Sequence, residues 1–202
     1  MTVCVAVSGL FAWHAAAHAG RLQEVLQRGP VPWLHGTVLR QQSGNVTAGD
    51  GAAPAACDWD GDGDEDLIVG SAYGDLLFFE RRADGLLDDP VQMMPEPEDL
   101  RPPSFAPAPV LPAVVDWDGD GRPDLLIGLG PKIYLCRRTQ SGLDPPVELQ
   151  VGGQSLGALI HQACPQAGTL APCAADFDLD GDPDILVGDD LGQVWWVANN
   201  GK

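Results

Sequence analysis

Asp58-Trp59-Asp60-Gly61-Asp62-Gly63-Asp64-Glu65-Asp66 is a nine-residue stretch whose pattern returns twice in the chain. The second copy is Asp116-Trp117-Asp118-Gly119-Asp120-Gly121-Arg122-Pro123-Asp124, and the third is Asp176-Phe177-Asp178-Leu179-Asp180-Gly181-Asp182-Pro183-Asp184. The shared pattern is D-x-D-x-D-G-x-x-D. Carboxylates at positions 1, 3 and 5 converge on one point if the backbone curls tightly. Gly at position 6 permits that curl, because it accepts positive φ without steric cost. The carboxylate at position 9 then closes the shell from the far side. Oxygen-only ligands on a flexible loop suit Ca²⁺, which takes about 6–8 oxygens at roughly 2.3–2.6 Å; Mg²⁺ prefers a tight octahedron and keeps its waters. A single Asp-Gly turn would need no metal. Three copies with fixed internal spacing do.

The loops also explain the charge. They contain 15 of the 29 acidic residues and, of the 11 basic ones, only Arg122, so −14 of the formal −18 resides in them. With a pI near 4.2 and no basic patch, the chain is not read as a nucleic-acid binder, and anionic membrane surfaces would repel it. A hydrophobic content of 45% argues against disorder. The abundance of Gly (25) and Pro (18) suits many short strands and tight turns.

An EF-hand loop begins in the same way but places its bidentate acid at position 12. Position 12 here is Val69, Ile127 and Val187. The last acid is instead followed at once by Leu67–Gly70, Leu125–Gly128 and Ile185–Gly188. Three apolar residues ended by Gly read as a short buried strand, not as the exiting helix of an EF-hand.

The sequence D-x-D-x-D-G-x-x-D followed by three apolar residues and Gly resembles the FG-GAP/VCBS repeat of integrin α-like β-propellers. That resemblance covers about residues 52–202 and implies Ca²⁺-binding hairpin loops inside propeller blades. Carried onto this chain, the side-chain ligands are Asp58, Asp60, Asp62 and Asp66; Asp116, Asp118, Asp120 and Asp124; and Asp176, Asp178, Asp180 and Asp184. The backbone carbonyls of Asp64, Arg122 and Asp182 add one oxygen each. About three ions are implied. The expected fold is all-β, a propeller-like array of four-stranded blades. It would be a partial propeller of three clear repeats (52–110, 111–170 and a truncated third at 171–202), with residues 21–51 as an N-terminal segment or a degenerate fourth blade.

Each repeat carries the same further parts. Before the loop comes a strand at Ala53–Cys57, Leu111–Val115 and Ala171–Ala175. A third strand follows at Leu76–Phe79, Ile133–Cys136 and Val194–Val197, and a weaker fourth fits Val91–Met94 and Val147–Val151. Arg81-Arg82 and Arg137-Arg138 follow the third strand in the first two repeats. The aromatic at position 2 (Trp59, Trp117, Phe177) is expected to pack beneath the loop and anchor it between blades. Gly36–Gln42 reads as a strand that either belongs to the N-terminal segment or completes the last sheet. Residues 95–112, rich in Pro, read as an extended connection between blades. Arg21–Arg28 has the spacing of one or two helical turns.

Residues 1–20 are apolar, with Ala17-His18-Ala19 in the small-x-small form of a cleavage site. They read either as a signal peptide or as an N-terminal apolar segment. Cys57 and Cys136 read as core thiols, and Cys164 with Cys173 as a pair that could join in an oxidising compartment. No nucleophile elbow, phosphate-binding loop or zinc motif is present. The expectation is a non-enzymatic, extracellular or cell-surface Ca²⁺-binding module for protein or glycan adhesion. The alternatives are an architectural part of a larger extracellular protein or of a polysaccharide lyase-like enzyme, the last requiring a groove that gathers His161, Arg137, Arg138 and Tyr134.

Overall fold

The computed structural model describes residues 38–93 and 108–201. The readings of residues 1–20, Arg21–Arg28 and most of 95–112 lie outside these. The described chain is mostly β, built from small antiparallel sheets. Sheet 1 joins β3 (Ala53–Cys57), β4 (Asp66–Gly70), β5 (Leu76–Phe79) and β6 (Val91–Gln92) in that order. Sheet 2 has the same order, with β7 (Val110–Val115), β8 (Asp124–Leu129), β9 (Lys132–Cys136) and β12 (Val147–Glu148). Sheet 3 has three strands, β15 (Leu170–Ala175), β16 (Asp184–Asp189) and β17 (Val194–Val197). Sheet 3 has the three strands read for its repeat, with no fourth among the described residues.

The inner strands are continuous apolar runs because both faces are covered. Alternate residues of β8 face opposite ways: Leu125, Ile127 and Leu129 join the core with sheet 1, and Leu126 joins the core with sheet 3. Registers repeat from sheet to sheet. Leu67 pairs with Phe79, Leu125 with Cys136, and Ile185 with Val197. The Gly after the apolar triplet has a tertiary cause. A Cβ on Gly70 would lie 2.0 Å from the Val110 carbonyl oxygen, and one on Gly128 would lie 1.9 Å from that of Leu170. The glycine lets the first strand of the next sheet approach the backbone directly, with Pro112 and Pro172 flanking the contact. The strand itself continues through Gly in sheets 2 and 3.

Three short hairpins complete the strands: β1 (Arg40–Gln41) with β2 (Gly44–Asn45), β10 (Arg138–Thr139) with β11 (Gly142–Leu143), and β13 (Gln150–Val151) with β14 (Gln154–Ser155). The first corrects the reading of Gly36–Gln42 as a strand of the last sheet. Its described part pairs with Gly44–Asn45 and bridges Leu87 beside sheet 1. There Val46, Ala48 and Leu87 cover Val69 and Phe79 on the outer face of sheet 1.

The all-β expectation also missed α1 (Leu156–Ala163). Ser155 caps it, accepting from the Ala158 N–H at 3.2 Å, and Leu156 and Ile160 bury one face. Its Gly157 passes against the Pro131 carbonyl, leaving no room for a Cβ. Cys57 and Cys136 are core residues, as read. No disulfide joins Cys164 to Cys173. Cys164 packs in the core between sheets 2 and 3, whereas Cys173 is flanked in β15 by Pro172 and Ala174, which face that core.

Candidate metal centres

Each Asp-rich loop connects the first strand of its sheet to the second. The loops share one hydrogen-bond frame. The position-1 carboxylate turns back on the loop: Asp58 accepts from Gly61 and Gly63 N–H at 2.8 and 3.1 Å, Asp116 from Asp120 and Gly121 at 3.0 and 2.9 Å, and Asp176 from Asp180 and Gly181 at 3.1 and 3.2 Å. The position-5 carboxylate accepts from the N–H two residues on, at 2.9–3.0 Å in all three loops. Gly63, Gly121 and Gly181 at position 6 have φ of 99°, 85° and 101°. Position 4 also requires positive φ, at 86° for Gly61, 73° for Gly119 and 65° for Leu179. That requirement was visible as Gly in two of the three copies.

Position 9 is buried in every loop. One oxygen of Asp66, Asp124 and Asp184 accepts the N–H of the position-2 aromatic, from Trp59, Trp117 and Phe177 at 3.0, 3.0 and 3.2 Å. The other accepts an N–H from beyond the third strand, from Arg81, Arg138 and Asn199 at 2.8, 2.6 and 2.8 Å. This frame gives the paired arginines a role and shifts their correspondence by one residue. Arg81 matches Arg138, because four residues separate the paired Gly128 and Ile133 where five separate the paired Gly70 and Leu76.

Carboxylate oxygens gather within 4.8 Å of one another in four groups among the described residues: Asp58, Asp60 and Asp62; Asp60, Asp66 and Glu80; Asp116, Asp118 and Asp124; and Asp176, Asp178 and Asp180. Asp120 and Asp184 are outside the groups of their loops. Asp120 is instead paired with the Arg122 guanidinium, and Asp184 is held by the Trp196 indole N–H at 3.1 Å as well as by two backbone amides. Asp64 Oδ1 is buried without a hydrogen-bond partner. Asp182 and the backbone carbonyls at position 7 are in the loops as numbered, and Asp182 donates its N–H to Asp180.

Glu80 is the residue that sequence reasoning overlooked. It follows β5, where the other sheets place Arg137 and Ala198. Burial, and then the Asp66, Asp60 and Asp62 charges, push its carboxyl up to about 7. Burial also raises Asp66 and Asp124 despite their two amide bonds. For Asp184 burial acts in the same direction, but the Asn199 amide, the Trp196 indole and the Phe177 amide outweigh it and hold the carboxyl low.

The position-2 aromatics differ. Trp59 is buried in the core between sheets 1 and 2, Trp117 is half-buried against the next core, and Phe177 is 47% exposed. The groove required for lyase-like chemistry is not assembled. Tyr134 packs in the core toward sheet 1, while His161 is exposed on α1, which packs on the opposite face of sheet 2.

The profile of the FG-GAP-like repeat family matches residues 58–127, from the first Asp of loop 1 through loop 2 and into β8. That match covers 70 of the 202 residues. The FG-GAP-like stretch thus contains two of the three loops, and the third reproduces their hydrogen-bond frame outside it. No curated protein and no solved structure matches the chain.

Proposed function

We propose that the chain is a Ca²⁺-binding module of FG-GAP/VCBS repeats, its sheets the blades of a propeller-like array, serving protein or glycan binding outside the cytoplasm. The observation that carries this reading is the convergence of carboxylate oxygens within 4.8 Å in each of three loops on one repeated backbone frame. The donors are all oxygen, which fits a hard cation, and the orphaned Asp64 Oδ1 marks a polar atom without a protein partner at the first loop.

Loop 1 would hold its ion with Asp58, Asp60, Asp62 and Asp66, loop 2 with Asp116, Asp118, Asp120 and Asp124, and loop 3 with Asp176, Asp178, Asp180 and Asp184. The position-7 carbonyls of Asp64, Arg122 and Asp182 contribute as well. Both oxygens of Asp66 and Asp124, and Oδ1 of Asp184, keep a second lone pair after accepting one amide, so the position-9 residues can serve the backbone and an ion together. Recruiting Asp120 requires its release from Arg122.

The ion supplies charge neutralisation and cross-linking, which is a structural role, and the module is read as non-catalytic. Three divalent ions would bring the formal −18 to −12. Sites as weak as ~10⁻⁴–10⁻³ M suffice in extracellular fluid. Because binding favours the folded state, it raises the melting temperature by mass action. A thermal melt with Ca²⁺ and with EDTA, beside a calorimetric titration, tests the reading. Three ions and a large upward shift are expected. No binding and no shift would leave the loops as turns alone.

A further inference from the structure

Loops 1 and 2 are physically connected in a way that loops 2 and 3 are not. Asp66, in the acid group of loop 1, holds the Trp59 N–H at 3.0 Å. The Trp59 ring faces sheet 2, where the Arg138 guanidinium carbon lies 4.6 Å from the ring centroid. Arg138 in turn donates its backbone N–H to Asp124, in the acid group of loop 2, at 2.6 Å. The chain of contacts therefore runs carboxylate, amide, indole, guanidinium, amide, carboxylate. Phe78, Met93 and Leu143 wall the cleft around it, about 280 Å³ in volume.

The next junction begins identically, with the Trp117 N–H on Asp124 and the Asn199 N–H on Asp184. There, however, Asn199 replaces the arginine. Its amide turns back to the Pro183 carbonyl of its own loop at 3.2 Å. Trp117 and Asn199 line a wider cavity of about 630 Å³.

Building on the proposed cation sites, we infer that loops 1 and 2 take their ions cooperatively through the Trp59–Arg138 stack, while loop 3 binds independently. An ion in loop 1 fixes Asp66 and so the Trp59 backbone. The ordered indole holds the Arg138 guanidinium by cation–π attraction. The ordered arginine then presents its N–H to Asp124 before loop 2 is filled. The ordering cost is met by the first ion, and the second ion binds more tightly for that reason. Reciprocity requires loop 2 to help loop 1 by the same factor. Arg138 is a positioning residue here: its side chain makes the link, whereas the amide that serves Asp124 survives any substitution other than proline.

The test is a Ca²⁺ titration by calorimetry on the full chain, with loop 3 silenced by Asp176→Asn and Asp178→Asn to leave two ions to count. Two ions binding with a Hill coefficient above one are expected. Silencing loop 1 by Asp58→Asn and Asp60→Asn should weaken loop 2 about fivefold. In an Arg138→Ala background the two sites should titrate independently, and silencing loop 1 should leave loop 2 unchanged. Arg138→Lys, which keeps a cation over the ring, should restore part of the coupling. A melt in excess Ca²⁺ verifies that each variant is folded. Independent sites in the native background, or coupling that survives Arg138→Ala, would overturn the inference while leaving the Ca²⁺ sites intact. A native chain that takes no Ca²⁺ would overturn both.

Discussion

At the scale of single residues, the loops are most informative where one copy departs from the others. Leu179 has φ of 65° where Gly61 and Gly119 sit in the same left-handed region. A side chain there costs roughly 1–2 kcal/mol, whereas Gly costs about 0.5–1 kcal/mol in lost chain entropy. Leu179 is 66% exposed, so little burial is given up. Leu179→Gly should therefore stabilise by up to about 1 kcal/mol, and Gly61→Ala or Gly119→Ala should destabilise by about 1 kcal/mol, as read from denaturant midpoints. Glu80 is the other departure. Its folded carboxyl titrates near 7 against an ordinary 4.5, so the folded chain keeps a proton that the unfolded chain has released. The contribution of Glu80 to stability without Ca²⁺ should be fullest below about 4.5 and fall as pH rises toward 7. Glu80→Gln should flatten that decline in EDTA melts between pH 5 and 8; an unchanged slope would remove Glu80 as its source. The D-x-D-x-D-G-x-x-D pattern made position 6 legible, because a repeated Gly signals a repeated backbone need. Glu80 was not legible, because it approaches the loop only through the pairing of β4 with β5.

At the scale of elements, the apolar runs placed the inner strands to within a residue or two, since runs covered on both faces carry a strong signal. What they could not reveal is why the apolar triplet ends in Gly. That reason belongs to the next sheet, whose first carbonyl lies against the glycine. Gly70→Ala and Gly128→Ala should each cost about 2–3 kcal/mol, because the obstruction is backbone and cannot rotate away. Urea melts would show it; a change below half a kcal/mol would mean that the sheets slide apart freely. Helix α1 was legible in principle. Ser155 before Leu156, the Leu156–Ile160 spacing and Pro165 just past the end are ordinary start and stop signals. Extending a fourth strand through Val151 hid them, whereas the strand ends at Glu148 and β13 pairs locally with β14. The Trp59–Arg138 stack joins residues 79 positions apart and had no local signal at all.

At the scale of the molecule, the sheets form a row with two different ends. The outer face of sheet 1 is closed by Val46, Ala48 and Leu87. The outer face of sheet 3 carries Ala171, Cys173, Leu186, Gly188, Val194 and Trp196, in the positions that sheet 2 fills with Leu111, Ala113, Leu126, Gly128, Ile133 and Leu135. None of these is charged, in a chain of formal charge −18. The matching positions Leu76 and Ile133 are 1% exposed, whereas Val194 is 63% exposed. Burial therefore sets the cost of truncation along the row. Leu76→Ala and Ile133→Ala remove buried methyl groups and leave cavities, at about 2–5 kcal/mol each. Val194→Ala removes groups already in water and should stay within about 0.5 kcal/mol. Comparing the three variants by denaturant melts in Ca²⁺ tests whether this face is open in solution. A Val194→Ala cost rivalling that of Ile133→Ala would mean that something covers it. Dilution would then separate the sources, because a second copy would dissociate and restore the small cost, whereas a covering segment of the same chain would not.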